Sequence, residues 1–126
     1  MPKMAHDDFQ DGALNVLKNN VTRQVICSAE PTTFTEANAT YAIADVTMAT
    51  GDFTLANGDT SGRKVTMAAK SGVLIDTTGT ALWSALLDVT NSKLLYRSTV
   101  TSQPLTANGT NTVNLPAWDI EIPDPT

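Results

Sequence analysis

Residues 57–72 read NGDTSGRKVTMAAKSG, and two readings compete for them. Glycines, hydroxyl residues and the tandem Arg63-Lys64 crowd together as they would around a phosphate. A nucleotide loop of the P-loop kind needs four residues between its glycines, then Lys and a hydroxyl residue, and it must open a helix. Here three residues separate Gly58 from Gly62, Arg63 precedes Lys64, and Val65 stands where a magnesium-binding hydroxyl is required. The residues from Lys64 onward alternate instead: Val65, Met67 and Ala69 share one side, and Lys64, Thr66, Ala68 and Lys70 the other. One dry and one wet side are the pattern of an antiparallel strand. Asn57-Gly58-Asp59 therefore reads as a chain reversal, since Asn and Gly tolerate positive φ, and Arg63 and Lys64 as exposed basic residues at its foot.

The same grammar extends in both directions. Upstream lie TRQVICSAE (22–30), ended by Pro31, YAIADVTMA (41–49), where Tyr41, Ile43 and Asp45 oppose Ala42, Ala44 and Val46 in an unclean phase, and the short FTLA (53–56). Downstream, Ser71-Gly72 and Thr78-Gly79 bracket VLIDT (73–77). ALWSALLDV (81–89) has two apolar faces and reads as a central strand, because turn signals limit its length; a helix is the rival reading. A turn over Asp88–Ser92 leads to KLLYRSTV (93–100), and Asn108-Gly109 makes a further reversal. In TVNLPAWDIEI the apolar phase changes at Pro116, which has no N–H to donate and so suggests an edge strand or bulge. Closely spaced strands of this kind predict a mainly β fold, an antiparallel β-sandwich or barrel.

One stretch departs from it. In DDFQDGALNVLKNN (7–20), Phe9, Ala13, Val16 and Leu17 fall at i, i+4, i+7 and i+8, which predicts one short N-terminal α-helix burying that face. Asp7 with Gln10 is the expected capping pair. The expected organisation is a single domain over 1–126, with a helix at 7–20, a β body at 22–115 and a C-terminal strand and Pro-rich tail at 116–126.

The 126 residues carry a net charge of -5, which provides no broad cationic field for nucleic acid or an anionic membrane. No Lys or Arg follows Arg97, so a charged partner is expected to be a basic protein surface. Cys27 is the only cysteine, which excludes an intrachain disulfide and reads as a core thiol. No run approaches the ~18 apolar residues of a spanning helix, and MPKMAHDDFQ has no apolar core of a signal peptide, so a soluble cytoplasmic product is expected. The sequons at Asn20, Asn38 and Asn108 are read as incidental.

Catalytic candidates are few. His6 beside Asp7 and Asp8 has no nucleophile or orienting partner at a recognisable spacing, and it reads as a solvated terminal residue. Asp45, Asp52, Asp59, Asp76 and Asp88 sit at strand ends and turns, where Asp bonds the local backbone, and no calcium loop is present. Trp83, Trp118, Phe34, Phe53, Tyr41 and Tyr96 read as core packing rather than a sugar platform, because both tryptophans are in phase with aliphatic neighbours. The expectation is of no catalytic residue, no cofactor, no metal and no enzyme.

Three stretches carry a resemblance: CSAEPTTFTEA (27–37), GDTSGRKVTMAAKSG (58–72) and NLPAWDIEIPDPT (114–126). With DGALNVLKNNVTR (11–23) they resemble small structural proteins encoded among the virion genes of tailed bacteriophages. The resemblance implies a virion component, first of all a capsid decoration or cement protein that binds the outside of the shell and clamps its subunits. Its partner would be the major capsid protein or another virion protein, and its own state a homo-oligomer such as a trimer. Residues 7–20 or 116–126 are the expected docking arm. The alternative within that context is a tail- or fibre-associated module that binds a host-surface glycan.

Overall fold

The computed structural model describes residues 3–125. It is mainly β, with antiparallel pairing throughout and one main helix, α1 (Asp7–Asn20). The strands are β1 (Arg23–Cys27), β2 (Ala42–Thr47), β3 (Phe53–Asn57), β4 (Arg63–Met67), β5 (Lys70–Leu74), β6 (Gly79–Asp88), β7 (Lys93–Leu105), β8 (Thr112–Leu115) and β9 (Trp118–Ile122). They form an open four-stranded sheet, β2-β1-β6-β7, a three-stranded sheet, β3-β4-β9, and a two-stranded ribbon, β5-β8. The arrangement is sandwich-like and no barrel closes: β2 and β7 end the large sheet.

Residues 81–88 belong to a strand, as the flanking turns predict, and that strand, β6, lies between β1 and β7. Ser84 through Asp88 are all buried, so its second half is covered on both faces, while Leu82 remains exposed. Alternation along β1 and β6 divides their side chains. Val25, Cys27, Ala85 and Leu87 turn to one face, where they meet Ala37, Phe34 and Tyr41. Ile26 and Leu86 turn to the other, which the remaining elements cover. There, Leu86 joins Leu14, Leu17, Phe53, Val65 and Met67 beneath α1 and the three-stranded sheet. Ile26 joins Ile43, Val73, Ile75, Leu105 and Leu115 beneath the ribbon.

Several sequence expectations change. The alternation from Lys64 stops at Met67; Ala69 is exposed, and the Ala68 N–H donates to the Asp52 carbonyl at 2.8 Å. Ser71-Gly72 is not a turn but a bulge inside β5, with Gly72 at φ 67° and its N–H donating to Asn114 Oδ1 at 3.0 Å. Within the expected β body over 22–115, residues 36–40 form a π-helical turn. Asp88 accepts from the backbone and side chain of Asn91, which closes the β6–β7 turn. β7 runs on to Leu105, past Val100, because β6 begins early enough to pair with it.

The helix is where expectation and structure part most. The N-cap is His6, whose Nδ1 accepts from the Asp8 N–H at 3.0 Å, not Asp7. Gln10 turns inward and donates to the Pro123 carbonyl and to Asp124, tying the tail to the helix. The buried face is Gln10, Leu14 and Leu17; Phe9, Ala13 and Val16 point away. Of the face predicted to be buried, Phe9, Ala13, Val16 and Leu17, only Leu17 is buried; the inward face is rotated toward Leu14, because that residue meets the Phe53 and Met67 layer.

Cys27 is fully buried, with Sγ 3.7 Å from the Ala37 carbonyl, and burial pushes its thiol up to about 11. Only the thiolate attacks thiol reagents. Native protein at pH 8 should therefore react with dithionitrobenzoate about a hundredfold or more slower than denatured protein; equal rates would show that the region around the π-helical turn opens readily.

Candidate functional sites

The Arg63-Lys64 pair is held internally. Arg63 grips Asp11 of α1 with two bonds, Nε to Oδ1 at 2.9 Å and Nη2 to Oδ2 at 3.3 Å, and reaches Asn57 at 2.9 Å. Lys64 contacts Asp59 at 2.6 Å and Asp119 at 3.4 Å. These carboxylates raise the pKa of both cations, Asp11 for Arg63 and Asp59 for Lys64. A phosphate approaching the hairpin thus meets paired charges, and the loop leads into β4 rather than a helix. Its role is to fasten α1 to the three-stranded sheet.

The other carboxylates are likewise local. Asp52 accepts from the Ala49 N–H and from Lys70 Nζ at 2.9 Å, the Lys70 bond contributing most to a lowered pKa. Asp76 is shifted upward, first by desolvation and then by neighbouring Asp45. Among the described residues, His, Cys, Asp and Glu form no group of three suited to a metal ion.

The aromatics divide. Phe53 is core, and Phe34 and Tyr41 pack over Cys27. Both tryptophans are only half-buried, contrary to the core reading. Trp83 lies under the Arg97 guanidinium, 5.7 Å from its ring centroid. Trp118 lies beside Tyr96, with centroids 6.1 Å apart, on the opposite side of the large sheet from Trp83.

Trp118 also marks a break in the chain's longest-range pairing. Met67 is opposite Trp118, and Lys70 is opposite Leu115 in the same register; between them Ala68-Ala69 and Pro116-Ala117 make no ladder pair. Pro116 has no N–H to continue the ladder, so one ribbon splits into β4–β9 and β5–β8. The phase change visible in the sequence is this change of sheet. Below the break, the facing surface of the large sheet presents Gln24, Ser84 and Ser98 between the two apolar clusters, and a cavity of about 440 Å³ fills the gap. Among the described residues, no charged side chain lines it. Gln24, 3% exposed, donates to Ser84 Oγ at 3.0 Å. Its Oε1 and the Trp118 indole Nε1 are buried with no hydrogen-bond partner among the described residues. Sequence reasoning missed this site: Gln24 and Ser84 are merely polar residues in apolar strands until the pairing of Ile26 with Ser84 and of Ser84 with Ser98 brings them to one face.

A second feature is the outer face of α1. Phe9 is 80% exposed, Val16 47% and Met4, just ahead of the helix, 84%. Phe9, Ala13 and Val16 form a stripe at i, i+4 and i+7, bordered by the carboxylate of Asp8 at the first turn.

These features define a small, mainly antiparallel β protein with an outward apolar helix face and a partly open cavity lined by uncharged residues. No family model, no curated protein and no solved structure matches the chain.

Proposed function

We propose that this chain is a structural protein of a tailed-bacteriophage virion, a decoration or cement protein that binds the outside of the assembled shell through the exposed face of α1. The observation that supports this reading best is the exposure of Phe9 in the first turn of α1, on the same face as Ala13 and Val16. A large apolar side chain left to water beside two others is an interaction patch rather than a packing residue. The resemblance of residues 11–23, 27–37, 58–72 and 114–126 to virion proteins supplies the partner, a capsid protein. Asp7 and Asp8 beside the stripe, together with the net charge of -5, match it to a surface that is apolar with basic margins. A shell repeats its binding site at every symmetry-related position, so weak single contacts add up when the protein is itself a homo-oligomer, such as a trimer on a threefold position. The protein would be made in the host cytoplasm and reside in the virion.

The test is made on purified particles. Decoration requires on the order of hundreds of copies per particle, and shells lacking the protein should release their genome at lower temperature. Phe9→Asp with Val16→Asp should abolish incorporation while leaving the melting temperature of the free protein within about 4 °C, since each exposed substitution changes stability by less than about 0.5 kcal/mol. A few copies per particle with binding to a glycan would point to a tail module instead, and undiminished incorporation of the double variant would exclude α1 as the docking face.

A further inference from the structure

We infer that the gap between β7 and β8 is a docking slot for one extended, uncharged strand of a partner protein, which adds to the free edge of β8 and lays alternate aliphatic side chains into the cavity. The layer that faces the large sheet is one strand short on this side. β5 is held beside β2 by the bridge from Ala44 to Ile75, the residue that follows it, and it pairs with β8. β9 leaves the ribbon at Pro116 and covers β7 near Tyr96, where Trp118 meets that ring. Beyond Tyr96, residues 98–103 of β7 border a cavity instead of a facing strand. The edge that is open to pairing belongs to β8. Among the described residues, its backbone bonds to β5 alone. The edge of β7 is blunted, because residues 100–102 bulge opposite Leu82 alone and Pro104 has no N–H to offer.

The size of the void fits such a strand. A volume of about 440 Å³ holds on the order of ten to fifteen heavy atoms at the ~30 Å³ that a water molecule occupies in the liquid. That is about three or four side chains of the size of Val, Thr or Leu. With every second side chain turned inward, they come from a strand of about six to eight residues. The lining runs along β7 from Ser98 to Leu105, a stretch of that length. Its walls are aliphatic at Ile26, Ala81, Val100, Val113 and Leu115, and among the described residues no charged side chain lines them. A charged inward residue therefore loses its water without gaining a counter-charge. A small apolar molecule can fill the void but leaves the β8 edge unpaired, whereas an added strand supplies both the ladder and the side chains. The alternating stretches of the 126 residues are already placed in β1–β9, and MPKMAH and PDPT lack the pattern, so these residues do not supply the strand and a partner does. The slot lies between the sheets and away from the outer face of α1, so it stands whether or not that face docks on a shell.

The experiment uses the full chain, labelled with nitrogen-15, and four probes: the capped peptide KSVTVSVTK, the same peptide with its three valines replaced by Asp, the scrambled peptide KVVVSSTTK, and toluene. The expected result is saturable binding of the alternating peptide below about 1 mM, with amide exchange slowed at least tenfold within Thr112–Leu115 and unchanged across residues 9–16 of α1. The Asp and scrambled peptides should bind at least tenfold more weakly. Ala81→Phe, which fills the void, should weaken the alternating peptide at least tenfold. Val100→Asp, at a half-exposed position, should do the same, so the assignment stays testable where the larger core change unfolds the chain. No binding of the alternating peptide, equal binding of the scrambled one, binding that leaves exchange in β8 unchanged, full affinity in folded Val100→Asp, or binding of toluene in place of the peptide would each overturn the assignment.

Discussion

Phe53→Ala is expected to lower the unfolding free energy by roughly 3–5 kcal/mol, the range for truncating a buried Phe. Phe53 is 2% exposed and sits at the centre of the cluster that joins α1 to the three-stranded sheet, touching the layer of Leu14, Leu17, Met67 and Leu86. Its neighbours cannot close the gap: Leu14 and Leu17 are held by the helix, Val65 and Met67 by pairing with Leu55 and Phe53 itself. Small domains hold about 5–15 kcal/mol in all, so the loss reaches a large fraction of the total. Denaturant titration should show a lower midpoint with an unchanged slope. The informative comparison is Phe9→Ala, expected to cost less than about 0.5 kcal/mol, since that ring lies outside. Similar losses for both phenylalanines would mean that Phe9 is covered in solution and that the outward face of α1 does not exist as described. Under the docking proposed for α1, which stands on the Phe53 layer, Phe53→Ala should weaken shell binding indirectly and Phe9→Asp should weaken it without loss of stability.

The second large effect concerns Gly62. Its φ of 70° is in the left-handed region, and a Cβ there would run into the backbone carbonyl of Ile122, which belongs to the neighbouring strand. The Gly62 carbonyl also accepts from the Gly58 N–H at 2.9 Å, closing the β3–β4 loop. An alanine therefore carries both the backbone strain of a positive φ and a collision that only movement of β9 relieves. A loss of roughly 3 kcal/mol is expected for Gly62→Ala. Gly72 provides the control: its φ is nearly the same, 67°, but the space around a Cβ is open. Gly72→Ala should cost only the conformational strain, about 1 kcal/mol. Equal losses at the two positions would show that the close approach of β9 to the hairpin is absent. A displaced β9 would also disturb the Arg63–Asp11 contact, so Gly62→Ala should loosen the N-terminal half of α1, measurable as faster amide exchange at residues 9–14.

The two glycines show how much of the molecule can be read along the chain. Asn57-Gly58 announces the hairpin that forms, and the alternation Val65–Met67 announces which side of β4 is dry, because turn chemistry and side-chain parity are local properties. The same reasoning takes Ser71-Gly72 for a turn, and the structure makes it a bulge, since the strand continues wherever Leu115 and Val113 are available to pair. Phe9 and Leu14 illustrate the limit for helices. Spacing picks Phe9, Ala13, Val16 and Leu17 as the buried arc and passes over Leu14; the position of Phe53 and Met67 across the contact brings Leu14 inward and leaves Phe9 outside. Phase with Ile120 assigns Trp118 to the core; the ring reaches that layer but stays half-buried beside the split at Pro116, and its indole N–H is enclosed with no hydrogen-bond partner among the described residues.

Periodicity, composition and spacing within a few residues are enough to establish an antiparallel β protein with one leading helix, an interior thiol at Cys27, and a hairpin rather than a nucleotide loop at Gly58–Lys64. Which side of α1 meets the core became legible only in three dimensions, as did the fact that β4–β5 and β8–β9 are one ribbon broken at Pro116 over Gln24 and Ser84. Those outcomes depend on contacts between segments far apart in the chain, where the energy of burial and pairing is settled by the partner's position and not by the residue's own preference.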